Sequence, residues 1–176
     1  MNKKFLLAAA AATTLTGCAD MPAWLFNRHD VAVDEVRRLS VCHTAGDQAQ
    51  LSLLPDAAAV EALQAQRGID LIGAEPLPPG PFVLAELGRR NTGGYAMVVS
   101  HQAVGEGDLL KLYATFFAPS PGQPTAQAQT SPCVLVALPA YSHYSQIRLV
   151  DPAGDTRAKW NAERPAPAAG ASGPAA

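Results

Sequence analysis

Apolar and polar residues alternate with period two over much of the second half of the chain, while one short earlier stretch follows a helical period instead. Phe82 to Leu87 reads as a strand; Tyr95, Met97 and Val99 share one face of the next, and Leu110, Leu112, Ala114 and Phe116 share one face of a third. These three are predicted to pair as antiparallel neighbours. Gly105, Glu106, Gly107 and Asp108 turn the chain between the second and the third, where glycine tolerates the positive φ a tight hairpin requires. After a Pro-, Gly- and Gln-rich loop from Pro119 to Thr130, Val134 to Leu138 and Gln146 to Val150 supply two more strands.

Upstream, Val33 to Cys42 and Gln50 to Leu54 carry Val and Leu at near-alternate positions, and His43 to Asp47 offer turn residues between them. That pattern predicts a hairpin. Asp56 is placed to cap a helix, Ala57 to Arg67 holds no Gly or Pro, and Gly68 can end it in the left-handed conformation. Val60 and Leu63 give this helix a narrow apolar stripe to lay on a sheet. The Pro-rich run from Glu75 to Pro81 continues neither element. The predicted fold is α+β: a mainly antiparallel sheet of five to seven strands, curled or barrel-like, packed with one short helix in a single domain over residues 31–160.

The ends read differently. Lys3 and Lys4 precede an apolar stretch from Phe5 to Ala12 that is too short to span a bilayer, so residues 1–17 read as a cleavable export signal. Leu15, Thr16, Gly17 and Cys18 resemble the lipobox of bacterial lipoproteins, in which the thiol accepts a diacylglyceryl group. An ordinary secretory signal with an incidental cysteine is the alternative. Acyl chains on Cys18 would bury dozens of methylenes at about 0.8 kcal/mol each, which makes membrane lipid a partner in its own right. Ala19 after the cysteine resembles the pattern of lipoproteins sent to the outer membrane, facing the periplasm. Residues 18–30 are expected to be a tether whose Trp24, Leu25 and Phe26 rest at the lipid interface or cover an edge of the domain. Residues 161–176, rich in Pro, Ala and Gly, are expected to be a disordered tail.

Charge adds an exclusion. The chain holds 13 basic and 15 acidic side chains, and the export signal would remove two of the basic ones, leaving a net charge of −4. No run of cations invites nucleic acid. With Cys18 lipidated, Cys42 and Cys133 remain, and an oxidising compartment favours a disulfide between them; two buried free thiols are the alternative.

Catalytic chemistry leaves no local signature. There is no GxSxG elbow, HExxH or CxxC, and His29, His43, His101 and His143 are dispersed, three of them in turns or next to strand ends. Ser131, His143 and Asp151 make a triad only by assumption, since spacing alone does not bring them together. Gly93 and Gly94 lead into a strand and not a helix, so they do not form a phosphate cradle. No metal site, cofactor or enzymatic activity is expected.

What remains is Asn91, Thr92, Gly93, Gly94, Tyr95 between two strands, and Gln127 to Pro132 just before an apolar strand. In their order and spacing, together with the helix and the strand Phe82 to Leu87, they resemble the PrcB C-terminal domain family, named for the lipoprotein subunit of a bacterial surface protease complex. The resemblance runs from about Val60 to Asp151. Asn91 stands where that family often has proline, and Cys133 where an aromatic usually follows Ser-Pro. The resemblance implies an exported, non-catalytic domain that supports or binds an envelope protein, a protease among the candidates. Asn91, Thr92, Gly93, Gly94 and Tyr95, with Thr130 and Ser131, are then the candidate partner-binding loop. A second resemblance of Asn91 to Tyr95, to the wedge loop of chagasin-like cysteine protease inhibitors, implies an inhibitor instead; the partner loops of that family are missing from this sequence.

Overall fold

In the computed structural model, which describes residues 27–140 and 142–162, the described elements follow in the order β1 (Arg28–Ala32), β2 (Asp34–Leu39), β3 (Gln50–Leu54), α1 (Ala57–Arg67), β4 (Phe82–Glu86), β5 (Ala96–Glu106), β6 (Leu109–Phe117), β7 (Cys133–Ala137), β8 (Gln146–Val150) and β9 (Thr156–Asn161). They build two sheets, ordered β1-β5-β6-β8-β9 and β2-β7-β4-β3. The α+β class holds, and the sheets stack without closing into a barrel. All pairings within them are antiparallel except β6 with β8.

The runs FVLAE and CVLVA fix the middle of the four-stranded sheet. Every residue of β4 and β7 is buried, as expected for strands covered on both faces. Val83, Ala85, Val134 and Val136 face the five-stranded sheet and pack with Met97, Leu110, Leu112, Ile147 and Leu149. The alternate residues Phe82, Leu84, Cys133, Leu135 and Ala137 face the other way, onto Val60 of the helix and Leu71 beyond it. The molecule is therefore three layers deep: sheet, sheet, then helix with its following loop.

Local chemistry sets the helix ends as the sequence predicts. Asp56 Oδ1 accepts from Ala59 N at 2.8 Å, and Gly68 adopts φ 64° while its N–H bonds Gln64 O. Gln64 does more than continue the helix. Its Oε1 accepts from Leu71 N at 2.8 Å and from Ile72 N at 3.1 Å, which folds the next segment back over the sheet and inserts the fully buried Leu71.

Two pairings differ from the predicted ones. The stretches expected as a hairpin, Val33 to Cys42 and Gln50 to Leu54, lie on opposite edges of the four-stranded sheet with β7 and β4 between them. The wholly apolar strands take the doubly covered centre, and β2, whose DEVRRL sequence carries four charges, takes an edge where charge also discourages further pairing. Likewise β4 does not pair with β5, because the chain crosses from one sheet to the other between them; the β5–β6 hairpin, turned at Gly107 and Asp108, forms as expected.

Strand number also exceeds the expected five to seven. Two short strands with few apolar residues, β1 and β9, complete the edges of the five-stranded sheet. Arg28 to Asp30, expected in the tether, belong to β1, and Asn161, expected in the tail, ends β9. The export signal at 1–17, Cys18, residues 24–26 and the tail from 163 onward lie outside the described residues.

Cys42 and Cys133 are joined in a disulfide, with Cα atoms 6.0 Å apart and 91 positions apart in sequence. It ties the loop after β2 to the start of β7 within the helix-side layer, where both residues are fully buried. Replacing both cysteines with alanine is expected to lower unfolding free energy by about 2–4 kcal/mol, read as a lower urea midpoint. An unchanged midpoint would show that the bridge does not constrain the unfolded chain.

Candidate functional site

The molecule has two distinct poles. The described chain starts beside the β5–β6 turn, where Gly107 N donates to Asn27 O at 3.3 Å. At the opposite pole, where β5 begins, three loops meet: residues 40–49, 87–95 and 123–132. The first link is covalent, since Cys42 and Cys133 flank this region.

The two segments singled out in the sequence come together here. Arg90 and Thr130 exchange backbone hydrogen bonds of 2.7 and 2.9 Å, Gly93 N donates to Ala126 O at 2.9 Å, and Thr130 Oγ1 donates to Thr92 O at 3.1 Å. Asn91 to Tyr95 is thus not the tip of a hairpin. It is a sheet-to-sheet crossover held along its length by the later loop. Gly94 has φ 87°, and a Cβ there would stand 3.1 Å from Pro119 Cβ, so both conformation and space favour glycine.

Two arginines that the sequence did not mark hold loop 40–49 in place. Arg89 Nε donates to Asp47 Oδ1 at 2.9 Å. The Arg90 guanidinium donates to the carbonyls of Leu87, Asp47 and Arg89, and lies 5.6 Å from the centroid of the Tyr95 ring. Gly88 allows that approach: a Cβ at its φ of 86° would fall 2.6 Å from Asp47 backbone atoms. The result is a polar cleft of about 500 Å³ lined by Asp47, Arg89, Arg90, Asn91, Thr92, Tyr95 and Gln129. Asn91 and Gly94 are exposed, and Thr92, Gly93, Tyr95 and Thr130 half-buried.

Ser131 departs from the expectation of an exposed contact residue. It is buried, its Oγ accepts from Cys42 N at 2.9 Å, and its own N–H donates to Ser40 O at 3.0 Å. Its hydroxyl serves the fold. Nor does it meet His143, which lines a second groove at the other pole, so Ser131, His143 and Asp151 form no triad. That groove, about 560 Å³, runs between Leu53, Pro81, Leu138 and Ile147, with Asp108 and Ser145 hydrogen-bonded at its rim. Among the described residues no cluster of three or more His, Cys, Asp or Glu side chains is arranged to hold a metal ion.

Beneath the loops lies the one fully buried charge of the central strands. Glu86 accepts from Thr44 Oγ1 at 2.5 Å, from Gln50 Nε2 at 3.0 Å and from both terminal nitrogens of Arg67 at 2.6 and 3.4 Å. Arg67 Nη1 also reaches Cys42 O at 3.3 Å. The carboxylate therefore joins the helix C-terminus, the first loop and β3 under the cleft. Its place at the end of an apolar run is the only sequence signal of this role.

Residues 82–139 match the family model described as PrcB C-terminal. The matched stretch begins with β4, ends just beyond β7, and contains two of the three loops of the polar cleft, 87–95 and 123–132, but not the loop that carries Asp47. No curated protein and no solved structure matches the chain.

Removing one partner from a buried ion pair strands the other charge, whereas an exposed pair contributes little. Arg67→Ala is expected to cost about 3 kcal/mol of stability, and Arg37→Ala, which breaks the exposed pair with Asp70, less than about 1 kcal/mol. Chemical denaturation of the two variants side by side checks the contrast. Equal losses would mean that the Glu86 network does not brace the loop pole.

Proposed function

We propose that the chain is a non-catalytic envelope lipoprotein, anchored through lipid on Cys18, that binds or scaffolds a protein partner through the loops around Asn91 to Tyr95. The observation that carries this reading is the joining of the two segments of family resemblance, Thr92 to Tyr95 and Thr130 to Pro132, into one braced surface. A PrcB-like segment suggests association with a protease complex. A protease-complex subunit needs no reaction centre of its own. It needs a surface that keeps its shape, and here each loop is fixed by backbone hydrogen bonds, the disulfide or the Glu86 network.

Anchoring complements that surface. From Cys18 to Asn27 the chain can extend at most about 30 Å, and Asn27 lies at the pole opposite the loops. A tether of that length keeps the Asn27 pole within about 30 Å of the membrane, with the loops at the other pole.

Two measurements test the parts separately. A photo-crosslinking residue at Asn91 is expected to capture a defined envelope protein in cells, and the same residue at Asp155, in the turn before β9, is not. Equal labelling at both sites, or none above background, sinks the binding surface; inhibition of a papain-like protease at micromolar concentration would favour the inhibitor reading instead. Metabolic labelling with palmitate is expected to mark the wild-type chain and not Cys18→Ser. Labelling that survives this substitution removes the anchor at Cys18.

A further inference from the structure

We propose that the outer face of the five-stranded sheet, in the half nearest Asn27, is a docking surface for an anionic lipid bilayer. Strand register assembles it. Val104, Lys111, Arg148 and Lys159 stand in one row across β5, β6, β8 and β9, with Asp30 of β1 opposite Val104. Their neighbours Leu110, Leu112, Ile147, Leu149 and Ala158 fill the core, so the cations lie on the side turned away from the other sheet. Arg28 and Glu106 face each other one row closer to the Asn27 pole.

Three cations on adjacent strands, about 5 Å apart, repel one another. Little within the chain offsets this. Glu106 pairs with Lys111 at 2.7 Å, and its carboxyl is held below the usual range chiefly by that hydrogen bond, with Arg28 and Arg148 adding to it. One carboxylate thus serves Lys111, Arg28 and Arg148, and Lys159 has no share in it. Among the described residues neither Arg148 nor Lys159 forms a salt bridge. The chain as a whole is acidic, so this row is not a sample of its average surface.

The charge calls for an anionic counterpart, and its position selects a membrane over an acidic protein. The row lies on a sheet face at the pole from which the chain leads back toward Cys18, within the roughly 30 Å that nine residues can span. A sheet face offers spread charges to a lattice of phosphates. This argument from position rests on the anchored reading of Cys18; the charge and register do not.

The test uses the chain from Ala19 onward, which contains every strand and helix described above and no acyl acceptor. Sedimentation with phosphatidylcholine vesicles, with and without phosphatidylglycerol, is expected to show binding only when the anionic lipid is present, weakening as salt rises. Arg148→Gln and Lys159→Gln are each expected to weaken it about five-fold, and the pair together more than ten-fold, with unchanged circular dichroism and melting. Arg38→Gln, on the edge of the other sheet, is expected to have no effect. Binding equal on neutral vesicles, no binding at all, or a double variant that binds like the parent overturns the proposal. Binding to polyglutamate without binding to vesicles overturns it in favour of an acidic protein. Because the probe lacks Cys18, failure here leaves lipidation untouched, and absence of palmitate on the full chain leaves this result untouched.

Discussion

The pairing of β4 with β7 under cover on both faces is the constraint from which the rest of the architecture follows. All ten residues in the two strands are buried, nine of them completely, so each strand must find neighbours on two sides. The five-stranded sheet supplies one side; the helix and the segment around Leu71 supply the other. Charged β2 is then left at an edge, and the chain must cross between the two sheets after β4 and again before β7. Those crossings are what place the loops 87–95 and 123–132 side by side.

Burial on both faces makes one residue expensive. A carboxylate in that environment requires several partners, and Glu86 receives them from α1, β3 and the loop after β2. The consequence reaches beyond stability. Satisfying this group fixes the floor of the polar cleft, and the disulfide from Cys42 to Cys133 secures the same loop a short way off. A recognition surface on such a floor can bind without first ordering itself, which reduces the entropy lost on association.

Legibility in the sequence followed the local or long-range nature of each interaction. The helix was readable to the residue, because Asp56 and Gly68 act on their immediate neighbours. The apolar runs of β4 and β7 were readable as strands, and the β5–β6 turn as a turn. Beyond the β5–β6 hairpin, pairing was not: which strand takes the centre depends on the competition among all of them, and a turn-like stretch such as His43 to Asp47 looks the same whether it joins partners or passes between edges. Strands β1 and β9 were hidden because Val31 and Ala158 are the single buried residue in each. At the candidate site the two segments were visible, but the roles of Ser131, Arg90 and Glu86 depended on partners some 40 to 90 positions away.

The same distinction applies to charge. In sequence order Lys111, Arg148 and Lys159 are isolated cations in an acidic chain, and composition argues against any basic surface. Parallel pairing of β6 with β8, followed by antiparallel pairing with β9, sets them in register. Had β8 slipped by one residue against β6, Ile147 would occupy the outer row and Arg148 the core, which the burial of Ile147 and Leu149 forbids. The hydrophobic core thus fixes the position of Arg148, and with it the spacing of charge on the opposite face. Packing and surface electrostatics are here two results of one register.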